Sequence, residues 1–190
     1  MSLYDNRGQR KYLTVGECLR FKNAAGDAPT TQRLLAMTLL YTGCRVSEAL
    51  ELDGTRVDLA AELVVFRTLK KREKTVYRAV YVDPEFISDL TQHFNLPSHR
   101  GRLWTIHRRT ALRWIKAIMK AAGIEGIHAT PKGLRHSYGL ACAMENLPIG
   151  EAKELMGHAD VKTTLIYQQA FGAEKRAFAK RLWNLYKIGD

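Results

Sequence analysis

Arg135, His158 and Tyr167, all in the last third of the chain, carry the side chains a phosphoryl-transfer site needs when the protein itself is the nucleophile. They lie in Thr-Pro-Lys-Gly-Leu-Arg-His (130–136), Leu-Met-Gly-His (155–158) and Thr-Thr-Leu-Ile-Tyr (163–167). A second arginine, Arg45, stands far upstream in Thr-Gly-Cys-Arg-Val-Ser-Glu (42–48), with Glu48 three residues on to orient it. Breaking a phosphodiester without a metal takes a nucleophile, counter-charge for the developing phosphorane and a proton for the leaving oxygen. Arginine suits the second task because its planar fork binds two phosphate oxygens and stays charged. Two arginines on separate segments can grip one phosphate from two sides. Tyr167 would attack as phenolate, and an ordinary pKa of about 10 calls for nearby positive charge or a base. His158 can hydrogen-bond a non-bridging oxygen. Lys70, beside Lys71, Arg72 and Lys74, can protonate the leaving oxygen as general acid.

The elements that must position these groups read as mainly α with a small antiparallel β-hairpin or sheet, an α+β class. Thr14-Val-Gly-Glu17 predicts a capping box opening a helix that ends near Gly26. A strongly apolar helix follows Pro29 and stops at Gly43, and a short helix covers Ser47 to Leu52. After a connector, Leu63–Phe66 and Val76–Val82 are β-rich, and the polar run Lys70–Lys74 between them predicts a hairpin presenting several cations. Pro84 starts another helix, Asn95–Arg102 is a loop, and a helix runs from about Arg108 to Ala122. From Lys132 onward the pattern is helices broken at Pro148, Gly157 and Gly172. The last is amphipathic, with Phe178, Leu182, Trp183, Leu185 and Tyr186 at helical spacings. The expected organisation is an N-terminal extension over 1–12 and one domain over 13–190.

Charge points to a polyanionic partner. Lys and Arg outnumber Asp and Glu 30 to 19, for a net +11, and the pI is near 9.7. The excess comes in groups, at 70–74, 100–102, 107–113 and 175–181, which suits a folded surface tracking a phosphate backbone. Three cysteines without metal-ligand spacing fit a reduced compartment, and no apolar run approaches a membrane span of about 20 residues. The N-terminus lacks a signal-peptide core. A cytoplasmic, nucleoid-associated protein is expected. Neither metal-ligand spacing nor a glycine-rich nucleotide loop occurs, so no cofactor is expected.

Together these segments resemble the catalytic domain of the tyrosine recombinases, the phage integrase family, from about Lys11 to the C-terminal helix. The resemblance implies that Arg45 and Arg135 are the two catalytic arginines, that His158 fills the family's His/Trp position and that Tyr167 is the nucleophile. It assigns the hairpin lysine to Lys70, with Lys71 one register away. It also places Lys132 where most members carry the histidine preceding the second arginine. The implied activity is cleavage and rejoining of double-stranded DNA through a 3′-phosphotyrosyl intermediate, independent of metal and ATP, within a tetramer assembled through the C-terminal helix. The chain resembles compact members that lack the N-terminal core-binding domain, so fewer phosphates are neutralised. The alternative is a weakly active or inactive DNA-binding accessory protein on the same scaffold.

Overall fold

Thr14 caps α1 (Val15–Gly26) as the capping box requires: its hydroxyl accepts from Glu17 N, and the Glu17 carboxylate accepts from Thr14 N. That carboxylate also takes the Arg10 guanidinium on both oxygens and stands 3.4 Å from His128 Nε2. Glu17 therefore ties the segment before α1 to a loop more than a hundred residues away. The computed structural model describes residues 2–68, 76–171 and 173–186, with backbone alone at 169–171 and 173–178.

Helix α2 (Thr30–Thr42) buries Leu34, Leu35, Ala36 and Leu39 because it runs through the middle of the core. It stops at Gly43, whose φ of +56° only glycine adopts without strain; a Cβ there would also lie 2.6 Å from the Tyr138 ring. The sharp turn that follows delivers Arg45 to the N-cap of α3 (Val46–Leu50), slightly earlier and shorter than the sequence pattern predicts.

A 3-10 turn (Gly54–Arg56) leads into β1 (Val57–Asp58), β2 (Leu63–Thr68) and β3 (Val76–Tyr81), an antiparallel sheet in the order β1-β2-β3. Leu63 pairs with Tyr81 and Thr68 with Val76, which is the hairpin expected. Strand β1 falls in the stretch read as a connector; two residues are too few to show an alternating pattern. Lys70 and Lys71 lie outside the described residues. The strand ends flanking them, Thr68 and Val76, line a groove shared with His158.

The remaining helices are α4 (Pro84–Phe94), α5 (Arg108–Ala121), α6 (Pro131–Met144), α7 (Ile149–Met156), α8 (Lys162–Phe171) and α9 (Ala173–Leu185). The fold class is the expected one, mostly helical with a small antiparallel sheet. Helix α6 is central, packed between α2 and α8, while α1 lies on α2 and α5. The main core gathers Phe21, Leu35, Phe66, Leu90, Trp104 and Ile115. A smaller cluster joins Leu3, Tyr12, Leu140, Ala143 and Met156 around Tyr167. Residues 2–13 reach it by folding back through a Tyr4–Arg10 bridge, and Leu13 N donates to Ser137 Oγ at 2.7 Å. At the other end, Leu182, Trp183 and Leu185 of α9 and Tyr186 just beyond it are exposed. No described helix is long and apolar enough to cross a membrane.

Candidate active site

Helix α6 sets the spacing of the site. Thr130 caps it by accepting from Gly133 N at 3.1 Å, and Pro131 opens the first turn. Lys132, Arg135 and His136 then fall at i, i+3 and i+4, one face of the helix. Facing them, Thr163 and Tyr167 stand one turn apart on α8. Arg45 enters from the α2–α3 turn and His158 from the turn after α7. A cavity of about 730 Å³ is lined by Arg45, Lys132, Arg135, His158 and Tyr167, together with Arg108 and His136. Five of the six residues singled out in the sequence thus surround one space, and the sixth, Lys70, is outside the described residues.

Each arginine is held by protein oxygens. Arg135 is buried; its Nη1 donates to Gly43 O at 2.7 Å and its Nη2 to Met156 O. Burial, with Arg45 nearby, pulls its pKa down to about 10, so it stays charged at neutral pH. Arg45 donates its backbone N–H to Glu48 Oε2 at 2.9 Å and its Nη1 to Glu48 Oε1. The carboxylate expected to orient Arg45 is therefore bonded to it. Burial alone would raise the Glu48 pKa, but Arg78, the Arg45 N–H and the Arg45 and Arg135 guanidiniums hold it below the usual carboxylate range. Arg45, Arg108, Lys132 and Arg135 against Asp160 along the lining leave the cavity electropositive, ready for an anion.

The aromatic groups are kept neutral. Tyr167 is 2% exposed, its Oη 3.0 Å from His136 Nδ1, its ring stacked on His158 with centroids 6.3 Å apart. Burial pushes the phenol up to about 12, against the pull of Arg135 and Arg45. Burial, Lys132 and Arg135 push His136 down to about 4; burial, Arg135 and Arg45 take His158 down to about 3. His158 Nδ1 lies 2.9 Å from Thr164 Oγ1, leaving Nε2 for the cavity. The close approach of Tyr167 to α6 depends on Gly139, where a Cβ would lie 2.6 Å from the ring.

Two participants escaped the reading of the sequence. His136 was legible as part of Arg-His, but only its helical offset of four from Lys132 hints that it turns toward the cavity. Arg78 occupies an inward position of β3, between Val76 and Val80, where an apolar residue is the norm. A charge at such a position needs a buried partner. Among the described residues no three of His, Cys, Asp and Glu cluster as metal ligands.

The chain is similar to known proteins along most of its length. The model of the Phage integrase family matches residues 11–174. Tyrosine recombinase XerD of Mycobacterium tuberculosis is 32% identical over 83% of the chain, and tyrosine recombinase XerA of Thermococcus kodakarensis 30% identical over 85%. The chain spans 56% and 58% of those two proteins, and 74% of a resolvase of Escherichia coli that is 26% identical over 88% of it. Among solved structures, XerA recombinase superposes with a TM-score of 0.74 at 27% identity, covering 90% of this chain and 64% of that one. The catalytic domain of bacteriophage HP1 integrase gives 0.66 at 22% identity, covering 90% and 93%, a likeness of fold. XerH, solved bound to its difH substrate, shares the fold with a TM-score of 0.75 at 19% identity, covering 95% and 59%.

Proposed function

The chain belongs to the phage integrase family, and on that premise we propose that it is a tyrosine-type site-specific recombinase acting on double-stranded DNA. The observation that carries this reading is the single cavity ringed by Arg45, Lys132, Arg135, His158 and Tyr167. Arg45 and Arg135 take the non-bridging oxygens of the scissile phosphate and neutralise the charge that builds on the phosphorane. His158 Nε2 and the Lys132 ammonium supply further donors. Tyr167 Oη bonds to phosphorus as the bond to the 5′ oxygen breaks; the phenol proton leaves along the hydrogen bond to His136. Lys70 gives its proton to the departing 5′ oxygen, with Lys71 the alternative donor. A 5′ hydroxyl reverses these steps and displaces the tyrosine. The phosphotyrosyl bond conserves the phosphodiester energy, so rejoining draws on no ATP.

DNA lies along α5 in this proposal. Arg108 lines the cavity, and Arg109, Arg113, Lys116 and Lys120 continue along the exposed side of the same helix, opposite the buried Ala111, Ile115 and Ile118. The exposed apolar residues of α9 dock on a neighbouring protomer in a tetramer assembled on DNA. The protein works at the nucleoid in the cytoplasm, residues 13–190 forming the catalytic unit and 1–12 an N-terminal extension.

The test is a trapping assay on nicked or 5′-bridging phosphorothiolate duplexes drawn from DNA flanking the gene, read on a denaturing gel. A covalent adduct formed by the protein and absent in Tyr167→Phe, with duplex binding retained in both, is the expected result. Binding without any adduct would sink the recombinase reading in favour of an accessory DNA-binding role.

A further inference from the structure

Arg78 sits where the pleat of β3 calls for an apolar side chain, and its two hydrogen bonds run to residues that hold the segments carrying Arg45 and His158. It is 7% exposed, its guanidinium carbon 4.8 Å from the ring centroid of Phe66, its partner across the β2–β3 ladder. Nη2 donates to Glu48 Oε2 at 3.0 Å, and Nη1 to Leu155 O, three residues before His158. A guanidinium is expensive to bury, and packing alone would be served as well by valine or leucine.

The geometry of Glu48 shows what the charge is for. Oε2 accepts from both Arg78 Nη2 and Arg45 N, so Oε1 alone is left for the Arg45 side chain. A carboxylate with both oxygens free takes an arginine in a two-pronged grip, the strongest arrangement open to the pair. Such a grip would turn the Arg45 guanidinium toward Glu48 and occupy the donors a phosphate needs. With Oε2 engaged, Arg45 is anchored by one arm and keeps the other for the cavity. The bond to Leu155 O sets the α7 end from which His158 projects, so one buried side chain fixes the bearing of two cavity groups.

We propose that Arg78 is a positioning residue for strand cleavage, holding Glu48 so that Arg45 faces the phosphate and holding the α7 terminus that carries His158. This rests on the recombinase reading, and two measurements keep the failures of the two ideas apart. The first is adduct formation by Arg78→Lys and Arg78→Gln, alone and combined with Arg45→Ala, on phosphate and methylphosphonate duplexes. The methyl group removes the charge the arginines neutralise. Each Arg78 variant should slow adduct formation by about tenfold or more with DNA affinity little changed. The loss should shrink on methylphosphonate and in the Arg45→Ala background, leaving only the part that acts through His158. A loss that persists undiminished in either setting marks a merely structural role and overturns the proposal. The second measurement needs no cleavage: inorganic phosphate is titrated into Tyr167→Phe protein while the His158 ring is followed by NMR. Arg78→Lys should weaken phosphate binding several-fold, and by less once Arg45 is alanine. Equal phosphate affinity with and without Arg78, or no phosphate-dependent shift at all, overturns the proposal whatever the cleavage assay gives. Should both Arg78 variants lose the fold, Phe66→Leu, which removes only the ring beneath the guanidinium, takes their place in both measurements.

Discussion

Tyr167 Oη lies 3.0 Å from His136 Nδ1, and the two rings, on α8 and α6, have centroids 5.9 Å apart. The phenol is raised to about 12 by burial and the imidazole lowered to about 4 by burial and its cationic neighbours, so at neutral pH both are uncharged. The resting pair is an uncharged phenol and an uncharged imidazole joined by one hydrogen bond, along which the proposed attack passes the phenol proton. His136→Ala is expected to slow adduct formation by about 10²-fold or more, the usual range for a positioned proton acceptor. His136→Asn, which can accept but not titrate, should recover binding geometry and little of the rate. Single-turnover trapping across pH separates the two; equal rates for His136→Asn and the unaltered protein would remove the proton-acceptor role.

Gly139 lets the Tyr167 ring lie against α6, because a Cβ there would stand 2.6 Å from it. Gly139→Ala should therefore tip the ring outward, destabilise the protein by about 1–3 kcal/mol and reduce adduct yield. Denaturant melts and trapping on one preparation check both effects. An unchanged melt would mean that α6 and α8 separate freely.

Arg135 satisfies the carbonyls of Gly43 and Met156, which joins the Arg45 turn to the His158 turn. Arg135→Lys keeps the charge and loses the fork. It should destabilise the fold by about 1–3 kcal/mol through unpaired buried carbonyls and nearly abolish cleavage. Full activity in Arg135→Lys would show that charge alone suffices.

Acid should weaken the fold before carboxylates titrate. His136 and His158 have folded pKa values near 4 and 3, whereas the unfolded chain takes up their protons near 6.5. Below about 6.5 the unfolded state binds more protons than the native state, so stability falls with pH until the folded values are reached. Chemical denaturation at pH 7.5, 6 and 5 should show a steady loss, smaller in His136→Phe. A flat profile between pH 7 and 5 would contradict neutral burial of both rings.

The cations on the exposed side of α5 should act as phosphate contacts. Arg109→Ala and Arg113→Ala are each expected to weaken duplex binding and lower the salt-dependence slope by about one, with the fold intact. Affinity measured over a salt series decides it, and an unaltered slope would move the DNA track elsewhere.

Much of the architecture was legible because its signals are local. The Thr14 capping box, the stop at Gly43 and the hairpin flanking 70–74 each depend on residues within a few positions of one another. The candidate phosphoryl-transfer residues were legible for the same reason, as short motifs. Strand β1 was not, being too short to alternate, and the folding of residues 2–13 against Tyr167 was not, since their apolar residues look like those of any short extension.

By itself the sequence determined the helical class, the β2–β3 hairpin, the basic surface and the types of side chain available for chemistry. Tertiary structure alone decided that Arg45, Lys132, Arg135, His158 and Tyr167 surround one cavity, that His136 meets the phenol and that Arg78 shares Glu48 with Arg45. Periodicity and capping report the neighbourhood of a residue along the chain. The Arg135–Gly43 bond spans 92 positions and the Arg78–Glu48 pair 30, and such pairings arise only when helices and sheet close on a common core.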